Sequence, residues 1–405
     1  MGGPRVRSSQ HATPGVLANF HEARFQSKTR TPTHLSSTMP TSLDLRLLEQ
    51  LADQERQGLA RFPPQISNRD GVRYHLNGAP VIGFCSNDYL GLTNHPYLSE
   101  PLAAPTGSTA SRLVCGDLPE HRSLEARLAD LAGTEDAVLF PSGFQLNIGV
   151  LAALALPNET VHSDTLNHAS LIDGLRLSRA TVKILPHGTP PPSCGWWVTE
   201  ALFSMDGDYA NPDDLRTHIE QNGYLYLDEA HSFGLFTHRG RVTGHAGVHQ
   251  ILPTVLVATL GKSFGCSGAF LAASAVICRW VRGSARSFVF STGTSPLLAT
   301  QLHRAIDLVT GPHGQAQRQR LWANIEHLAA RLGLFNHRSP IFSIVLGSNS
   351  RALELSARLL EQGWHVQAIR PPTVPDGTSR LRITVSAGHE PAQIDAFADA
   401  LRVLL

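Results

Sequence analysis

The sequence predicts an α/β fold, with a large domain built on a mainly parallel sheet and a smaller α/β domain at the C-terminus. From about residue 119, short apolar runs alternate with amphipathic helical stretches, which is the pattern of a parallel sheet covered by helices. Many of these runs are apolar at nearly every position, which indicates strands buried on both faces. After the segment FSTGTSP the pattern changes to long helices and short strands, so a second domain is expected there.

The large domain is predicted from one clear helix and six strand-like runs. The helix is PEHRSLEARLADLAG: Pro119 suits its start, Leu124, Leu128 and Leu131 share a face, and Gly133 suits its end. The predicted strands are DAVLF, TVKIL, WWVTEALF, YLYLDEA, TVLVATLG and GAFLAAS.

The C-terminal part is predicted to begin with helices at 297–310 and 316–333. Short strands (FSIVLG, HVQAI, RLRITVSA) then alternate with helices (SRALELSARLLEQG, PAQIDAFADALRVLL). The predicted organisation is an N-terminal extension over 1–40, an N-terminal segment over 41–83, a large domain over 84–296 and a small domain over 297–405.

Charge and cysteine content exclude several classes of protein. In this chain of 405 residues, 34 Lys and Arg nearly balance 33 Asp and Glu, so neither a nucleic acid nor a membrane surface is an expected partner. Five cysteines without a CxxC pair argue against a disulfide framework and a structural zinc site, and we expect no metal. A reducing, cytoplasmic location is the simplest interpretation.

Residues 1–40 are rich in Ser, Thr, Pro and Arg, with Glu22 as their one acid. This composition predicts disorder. An organelle transit peptide has a similar composition, and Met39 as the true start is a third interpretation.

Polar residues directly after strands are candidates for chemistry, because ligands of open α/β sheets bind at the carboxyl ends of the strands. Asp228 ends one buried run, and Lys262 follows the next in TLGKSFG. Taken singly, Asp228 suits a helix cap or a core ion pair, and Lys262 suits a solvated loop. A phosphate-binding P-loop is excluded, since its pattern requires glycine at position 256, which is Leu256.

Two further segments supply groups that could bind a phosphate and stack on an aromatic ring. The turn FPSGFQLN can present backbone N–H groups at Gly143 to a phosphate, and His168 in NHASLIDG offers a flat ring for stacking. A phosphate turn, a stacking histidine, an aspartate for a ring nitrogen and a lysine for a Schiff base are what pyridoxal 5'-phosphate (PLP) requires.

From about residue 45 to 403, the chain resembles the α-oxoamine synthases, which are PLP-dependent transferases of fold type I. The resemblance rests on ordered motifs: FCSNDYLGL, GSTASRLVCGD, FPSGF, NHASLIDG, TEALFSMDGD, LDEAHSFG, TLGKSFG, FSTGTSP and IRPPTVPDGTSRLRITVSAGHE.

The resemblance implies roles for the cofactor-site residues. Lys262 would anchor PLP as a Schiff base, Asp228 would pair with the ring nitrogen, and His168 would stack on the ring. Ser204 and His231 would hydrogen-bond near the ring oxygen. The phosphate would meet Gly143, Phe144 and Thr259, with Ser291 and Thr292 reaching the phosphate of a partner subunit in a homodimer.

The resemblance also implies the substrates. Arg382 would hold an amino-acid carboxylate, Asn87 and Thr373 would line the substrate site, and Arg61 would meet the acyl donor. The segment IRPPTVPDGTSRLR favours the biotin-synthesis member of the family, which condenses L-alanine with pimeloyl-CoA or a pimeloyl-carrier protein. The alternatives are the members that make 2-amino-3-oxobutyrate, 5-aminolevulinate or sphingoid precursors.

Two other classes of protein remain as hypotheses. A catalytically silent relative would be expected to lack Lys262 or Asp228, and an ordinary aminotransferase would need no thioester. The chain also departs from its family in the short connection HGTPPPSCG, where relatives carry a helix, and in Phe233. We therefore expect the strand TVKIL to be less well covered than in those relatives.

Overall fold

The computed structural model describes residues 40–238, 241–243 and 252–405. Apart from Pro40, the extension predicted as disordered lies outside the described residues. The chain forms two compact units, Met1–Arg56 and Gln57–Leu405. In the first, helix α1 (Ser42–Arg56) is exposed along its whole length. Its start is capped by Thr41, whose Oγ1 accepts the Asp44 N–H at 3.2 Å.

The second unit is organised around a seven-stranded sheet in the order β4-β12-β11-β8-β7-β5-β6. Strand β12 runs antiparallel to both of its neighbours, while the other pairs are parallel. A mainly parallel α/β sheet is therefore confirmed. The strands are β4 (Asp136–Phe140), β5 (Thr160–Asp164), β6 (Thr181–Leu185), β7 (Trp196–Glu200), β8 (Tyr224–Asp228), β11 (Val255–Thr259) and β12 (Ala269–Ala273).

The sheet is buried because its side chains alternate between two apolar cores. On β11, Val255 and Val257 enter one core, and Leu256 and Ala258 enter the other. Such two-sided burial explains why β8, β11 and β12 are apolar at nearly every position. The helices of this region are α2 (Pro96–Ser99), α3 (Pro119–Ala132), α4 (Gly143–Leu154), α5 (Ala169–Ser178), α6 (Pro212–Glu220), α7 (Ala275–Ser284) and α8 (Arg286–Val289).

Helix α3 has the bounds that its sequence predicts. Pro119 is its first residue, and Gly133 ends it in the left-handed conformation at φ 75°. Leu124 and Leu128 are fully buried. The helical spacing of its leucines and its two end signals were therefore enough to predict this helix from the sequence.

The described residues form three smaller sheets besides the large one. Strands β1 (Ile66–Asp70), β2 (Arg73–Leu76) and β3 (Ala79–Gly83) form a sheet with β14 (Trp364–His365). Strands β13 (Ile341–Gly347), β16 (Ser379–Thr384) and β15 (Gln367–Ile369) form a C-terminal antiparallel sheet, and β9 (Phe236–His238) pairs with β10 (Arg241–Thr243). The C-terminal helices are α9 (Pro296–Thr310), α10 (Pro312–Leu332), α11 (Asn349–Glu361) and α12 (Pro391–Leu404).

Some elements differ from the sequence predictions. Strand β5 is absent from those predictions because His162, Ser163 and Asp164 make its sequence polar, yet all three are buried. The run HVQAI is divided between β14 and β15, which belong to different sheets. Helix α10 begins at Pro312 rather than at 316, because proline at the first position suits a helix start.

Strand β6 is an edge strand with little cover. The Ile184 side chain is 59% exposed, as expected from the short connection that follows the strand. The domain boundaries at 84 and 297 stay a prediction. In the described ranges, no helix combines the length and the apolar character needed to cross a membrane.

Candidate active site

The carboxyl edge of the large sheet gathers the predicted catalytic residues. Glu200, Asp228 and Thr259 are the last residues of β7, β8 and β11. The strand register places Asp228 beside Glu200 on one side and beside Val257 on the other. Lys262 follows Thr259 in a tight turn, in which the Gly265 N–H bonds to the Lys262 carbonyl at 3.0 Å. Residues that are distant in sequence thus meet at one edge.

A network of neutral donors orients the Asp228 carboxylate. The Asn147 Nδ2 donates to Asp228 Oδ2 at 2.8 Å, and the Ala230 N–H donates to Oδ1 at 2.9 Å. Asn147 is itself held by the Tyr226 hydroxyl, which donates to its Oδ1 at 2.7 Å. Because the Asn147 amide and the Ala230 N–H are both neutral, neither forms an ion pair with this carboxylate, and its position suits a protonated ligand nitrogen.

His168 is fixed at the start of α5 by the same network. Its Nδ1 lies 2.7 Å from Ser170 Oγ, and that hydroxyl accepts a hydrogen bond from Asn147 at 2.9 Å. The backbone N–H of His168 donates to Glu200 Oε1 at 2.6 Å. Burial, and to a lesser degree the charge of Lys262, lower the pKa of His168. A neutral, immobilised ring of this kind suits stacking on an aromatic group.

Lys262 lies in a surrounding that favours its neutral form. Burial lowers the pKa of its amine to about 8, although the nearby acids Asp228 and Glu200 act in the opposite direction. Burial and the Asp228 charge raise the pKa of Glu200 well above its ordinary value, which favours the neutral form of this acid. Glu200 therefore raises the pKa of Lys262 only a little. The amine is thus available as a nucleophile or base near neutral pH.

A second network joins His231 to the predicted substrate residues. The Tyr89 hydroxyl lies 2.6 Å from His231 Nδ1 and 3.3 Å from Asn87 Oδ1. The Arg382 Nη2 donates to the same Asn87 oxygen at 3.1 Å. Burial and the charges of Lys262 and Arg382 hold the pKa of His231 well below its ordinary value, so the ring is neutral.

Arg382 is a buried cation whose hydrogen-bond partners among the described residues are neutral. The residue is 5% exposed, and its guanidinium donates to Asn87 Oδ1 and to the Ser204 carbonyl. By contrast, Arg380 on the same strand pairs with Asp206. A buried guanidinium without a carboxylate is costly, so this position suits a ligand that brings one.

The start of α4 forms a cradle for an anion. Ser142 caps the helix by accepting the Gln145 N–H at 3.2 Å, and Gly143 and Phe144 are its first residues, whose N–H groups have no intrahelical acceptor. A Cβ on Gly143 would lie 2.9 Å from Thr259 Cγ2. The buried Thr259 Oγ1 has no hydrogen-bond partner in the described part of the chain. The residues present therefore fit the phosphate that the resemblance implies.

Ser291 and Thr292 lie on a neighbouring segment. The Gln145 Nε2 donates to Ser291 Oγ at 2.9 Å, and Thr292 forms a β-bridge with Ser111. Both residues line a small cavity with Phe140, Pro141 and Gln145. Their position next to the first turn of α4 is compatible with a role near a phosphate, but their predicted reach to a partner subunit stays a prediction.

Arg61 and Thr373 form a separate pair. The Arg61 Nη2 donates to Thr373 Oγ1 at 3.0 Å and to the carbonyls of Arg370 and Pro371 at 3.2 Å. Two residues predicted for substrate binding are thus in direct contact across a sequence separation of 312 positions. Arg61 is exposed, in contrast to Arg382.

Sequence reasoning did not identify the residues that orient the site. The missed group comprises Tyr89, Asn147, Ser170, Glu200 and Tyr226, which link the predicted residues by the hydrogen bonds described above. Two of these residues could have been noticed in the sequence, because each is a polar residue in an apolar run. Asn147 interrupts the apolar helix GFQLNIGVLAAL, and Glu200 is an acid at the end of the buried run WWVTE.

Comparisons with known proteins show the family of this chain. Residues 79–401 match the family model of class I and II aminotransferases. The 8-amino-7-oxononanoate synthase of Bordetella petrii is 42% identical over 355 residues, covering 81% of this chain and 89% of that protein. The enzyme of the same name from Herminiimonas arsenicoxydans is 39% identical, covering 88% and 98%.

A solved structure shows the same fold. The high-resolution structure of SPT with its PLP internal aldimine superposes with a TM-score of 0.78 at 26% identity, covering 89% of this chain and 97% of that one. On these matches, the chain belongs to the class I and II aminotransferase family and, within it, to the 8-amino-7-oxononanoate synthases.

Proposed function

We propose that this chain condenses L-alanine with a pimeloyl thioester, either pimeloyl-CoA or a pimeloyl-carrier protein. The products are 8-amino-7-oxononanoate, the free thiol and CO₂, and the reaction belongs to biotin biosynthesis. The observation that carries the proposal is the buried Arg382, whose partners are neutral, in the hydrogen-bond network of His231. That guanidinium provides a bidentate site for the carboxylate of an amino acid.

The enzyme is PLP-dependent, and its residues fit the cofactor. Lys262 would hold the aldehyde carbon, Asp228 the ring nitrogen, and His168 one face of the ring. Ser204 and His231 would lie near the ring oxygen, and Gly143, Phe144 and Thr259 would bind the phosphate. When bound, PLP withdraws electrons from the α-carbon of the amino acid.

The protein's own groups then supply binding and proton transfer. Arg382 binds and orients the alanine carboxylate. Lys262 accepts the proton from the α-carbon, and its pKa of about 8 suits a general base near neutral pH. After the α-carbon has displaced the thiol from the acyl carbonyl and CO₂ has left, Lys262 returns a proton to that carbon.

We assign the acyl donor to the side of the site where Arg61 and Thr373 are paired. Arg61 is exposed and cationic, as expected for a residue that meets a phosphorylated carrier at the entrance. We also propose that Asn87 lines the substrate site, because its Oδ1 accepts a hydrogen bond from Arg382. We further propose a cytoplasmic homodimer with shared sites, in which Ser291 and Thr292 approach the phosphate of the partner subunit.

A matrix of donors and amino acids tests the proposal. Pimeloyl-CoA, succinyl-CoA and palmitoyl-CoA are each combined with L-alanine, glycine and L-serine, and free thiol and CO₂ are measured. We expect the pimeloyl-CoA and L-alanine pair to release both products fastest. Faster release from palmitoyl-CoA with L-serine, or from succinyl-CoA with glycine, would overturn the proposed specificity in favour of a sister enzyme.

A further inference from the structure

Residues 201–210 form a hairpin, here called the bridging hairpin, next to the substrate site. Leu202 and Tyr209 pair as an antiparallel bridge. The Phe203 N–H donates to the Asp208 carbonyl at 2.9 Å, and the Ala210 N–H donates to the Ala201 carbonyl at 3.1 Å. The hairpin follows β7 directly, so it starts at the carboxyl edge of the large sheet.

One side of the bridging hairpin is fastened to the C-terminal sheet. Asp206 forms an ion pair with Arg380, and the Ser204 carbonyl accepts the Arg382 Nε–H. At Gly207, with φ 79°, a Cβ would lie 2.1 Å from the Ile341 carbonyl oxygen, so the hairpin packs against β13 without room for a side chain. The hairpin is therefore linked to the Arg382 guanidinium by a direct hydrogen bond.

The other side of the hairpin is held by His187, from the short connection after β6. Its Nε2 lies 2.7 Å from Asp208 Oδ2, and its Nδ1 lies 3.0 Å from Asp164 Oδ1 at the end of β5. Asp164 is buried and is itself fixed by the N–H groups of Leu166 and Gly188. His187 thus joins the hairpin to an immobile carboxylate of the large sheet.

The bridge requires a charged imidazole. Each ring nitrogen faces a carboxylate, and both can donate only when the ring is protonated. Burial alone lowers the pKa of His187, but the hydrogen bonds to Asp164 and Asp208 outweigh it and leave the pKa raised. Among the described residues, these two acids are the charged groups on the ring, and Phe203 packs edge-on against it at 4.4 Å.

We propose that His187 is a positioning residue for amino-acid binding, which in its imidazolium form holds the bridging hairpin and, through it, Arg382. This inference rests on the proposed function, because it takes Arg382 as the carboxylate-binding residue. It also assigns a role to the connection HGTPPPSCG, whose histidine touches neither the predicted cofactor residues nor the substrate residues directly.

The test is His187→Gln in the PLP-loaded enzyme, with two readouts. L-Alanine is titrated while the visible band of the bound cofactor is followed, which gives a Kd without turnover, and KM and kcat are then measured with pimeloyl-CoA. We expect Kd and KM for L-alanine to rise about tenfold and kcat to change less than about twofold, since a charge-assisted contact behind the binding residue is lost. Unchanged Kd and KM would overturn the proposal.

The pH profile separates positioning from a general loss of structure. Between pH 6 and 9, the ratio of the variant Kd to the wild-type Kd for L-alanine should fall towards one, because His187 loses its proton only in the wild type. Parallel wild-type and variant profiles would contradict the proposal. The matched control is His327→Gln, because His327 bonds Asp395 at 2.9 Å on the C-terminal helices and should leave Kd unaltered.

A second variant keeps the test decisive if His187→Gln does not fold. Asp208→Asn leaves the His187 to Asp164 contact in place and weakens only the link to the hairpin, so the same rise in Kd is expected. Failure of the proposed function has a different signature: no thiol would be released from any acyl-CoA, while the spectral Kd for L-alanine would still report on His187.

Discussion

At the residue scale, Lys262 is the side chain whose ionisation the fold alters most usefully. The chain contains three lysines, Lys28, Lys183 and Lys262. Burial depresses the pKa of Lys262 from 10.5 to about 8, so its amine is neutral above about pH 8 and protonated below. The rate at which the apoenzyme captures PLP should therefore rise about tenfold per pH unit below pH 8 and level off above it.

This prediction is measured by stopped-flow absorbance after mixing apoenzyme with PLP between pH 6 and 10. Lys183→Ala is the matched control, since Lys183 is exposed on edge strand β6 and its loss should leave the rate unchanged. Lys262→Ala should abolish capture that borohydride can trap. A capture rate that keeps rising steeply to pH 10 would show that the fold does not depress the pKa of this amine.

Residues such as Lys262 and Asp228 could be predicted because each belongs to a short local sequence motif at the end of a strand. The residues that orient them could not. Asn147 bonds Ser170 of α5 and both Tyr226 and Asp228 of β8, all of which are separated by more than 20 positions from Asn147. Such a network depends on tertiary packing, and a single asparagine in an apolar helix reveals only that something polar faces it.

At the element scale, the meeting of helix α4 with strand β11 yields a prediction about Thr259. Its Oγ1 is buried and unpartnered in the described part of the chain, beside the first turn of α4. Thr259→Val removes the hydroxyl and keeps the shape. PLP should then bind about tenfold more weakly, because one hydrogen bond to a charged phosphate is lost, while the apoenzyme should be equally or more stable.

Equilibrium titration of apoenzyme with PLP and thermal unfolding of the apoenzyme measure the two effects separately. Ser163→Ala on β5 is the comparison, because its hydroxyl accepts a hydrogen bond from Asn167 at 2.9 Å. That variant should lower apoenzyme stability. If Thr259→Val binds PLP as tightly as the wild type does, the assignment of Thr259 to the phosphate site is wrong.

Elements were predicted well where local signals agreed and poorly where tertiary structure decided. Helix α3 carries its own proline start and glycine end, so its bounds followed from the sequence. Strand β5 is polar but buried, because His162, Ser163 and Asp164 find partners or neighbours only in the folded sheet. Its last residue, Asp164, is the one that anchors His187.

At the scale of the whole molecule, we expect stability to depend on a buried ion network around Glu125. Glu125 of α3 accepts both guanidinium ends of Arg112, at 2.8 and 3.0 Å, and a hydrogen bond from Arg282 at 3.2 Å. Its Oε1 also accepts the Leu139 N–H of β4 at 2.8 Å. One carboxylate thus joins a loop, two helices and the edge of the large sheet.

Replacing this carboxylate should destabilise the protein without altering its specificity. Glu125→Gln leaves the buried Arg112 with a weaker partner, so the free energy of unfolding should fall by about 3 kcal/mol, as for other broken buried pairs. Asp213→Asn breaks the exposed pair with Arg216 and should cost less than about 0.5 kcal/mol. Urea unfolding at fixed protein and PLP concentrations measures both. If both variants lost the same free energy of unfolding, the buried network would contribute no more than an exposed ion pair. The apolar cores on either face of the sheet would then stabilise the molecule without it.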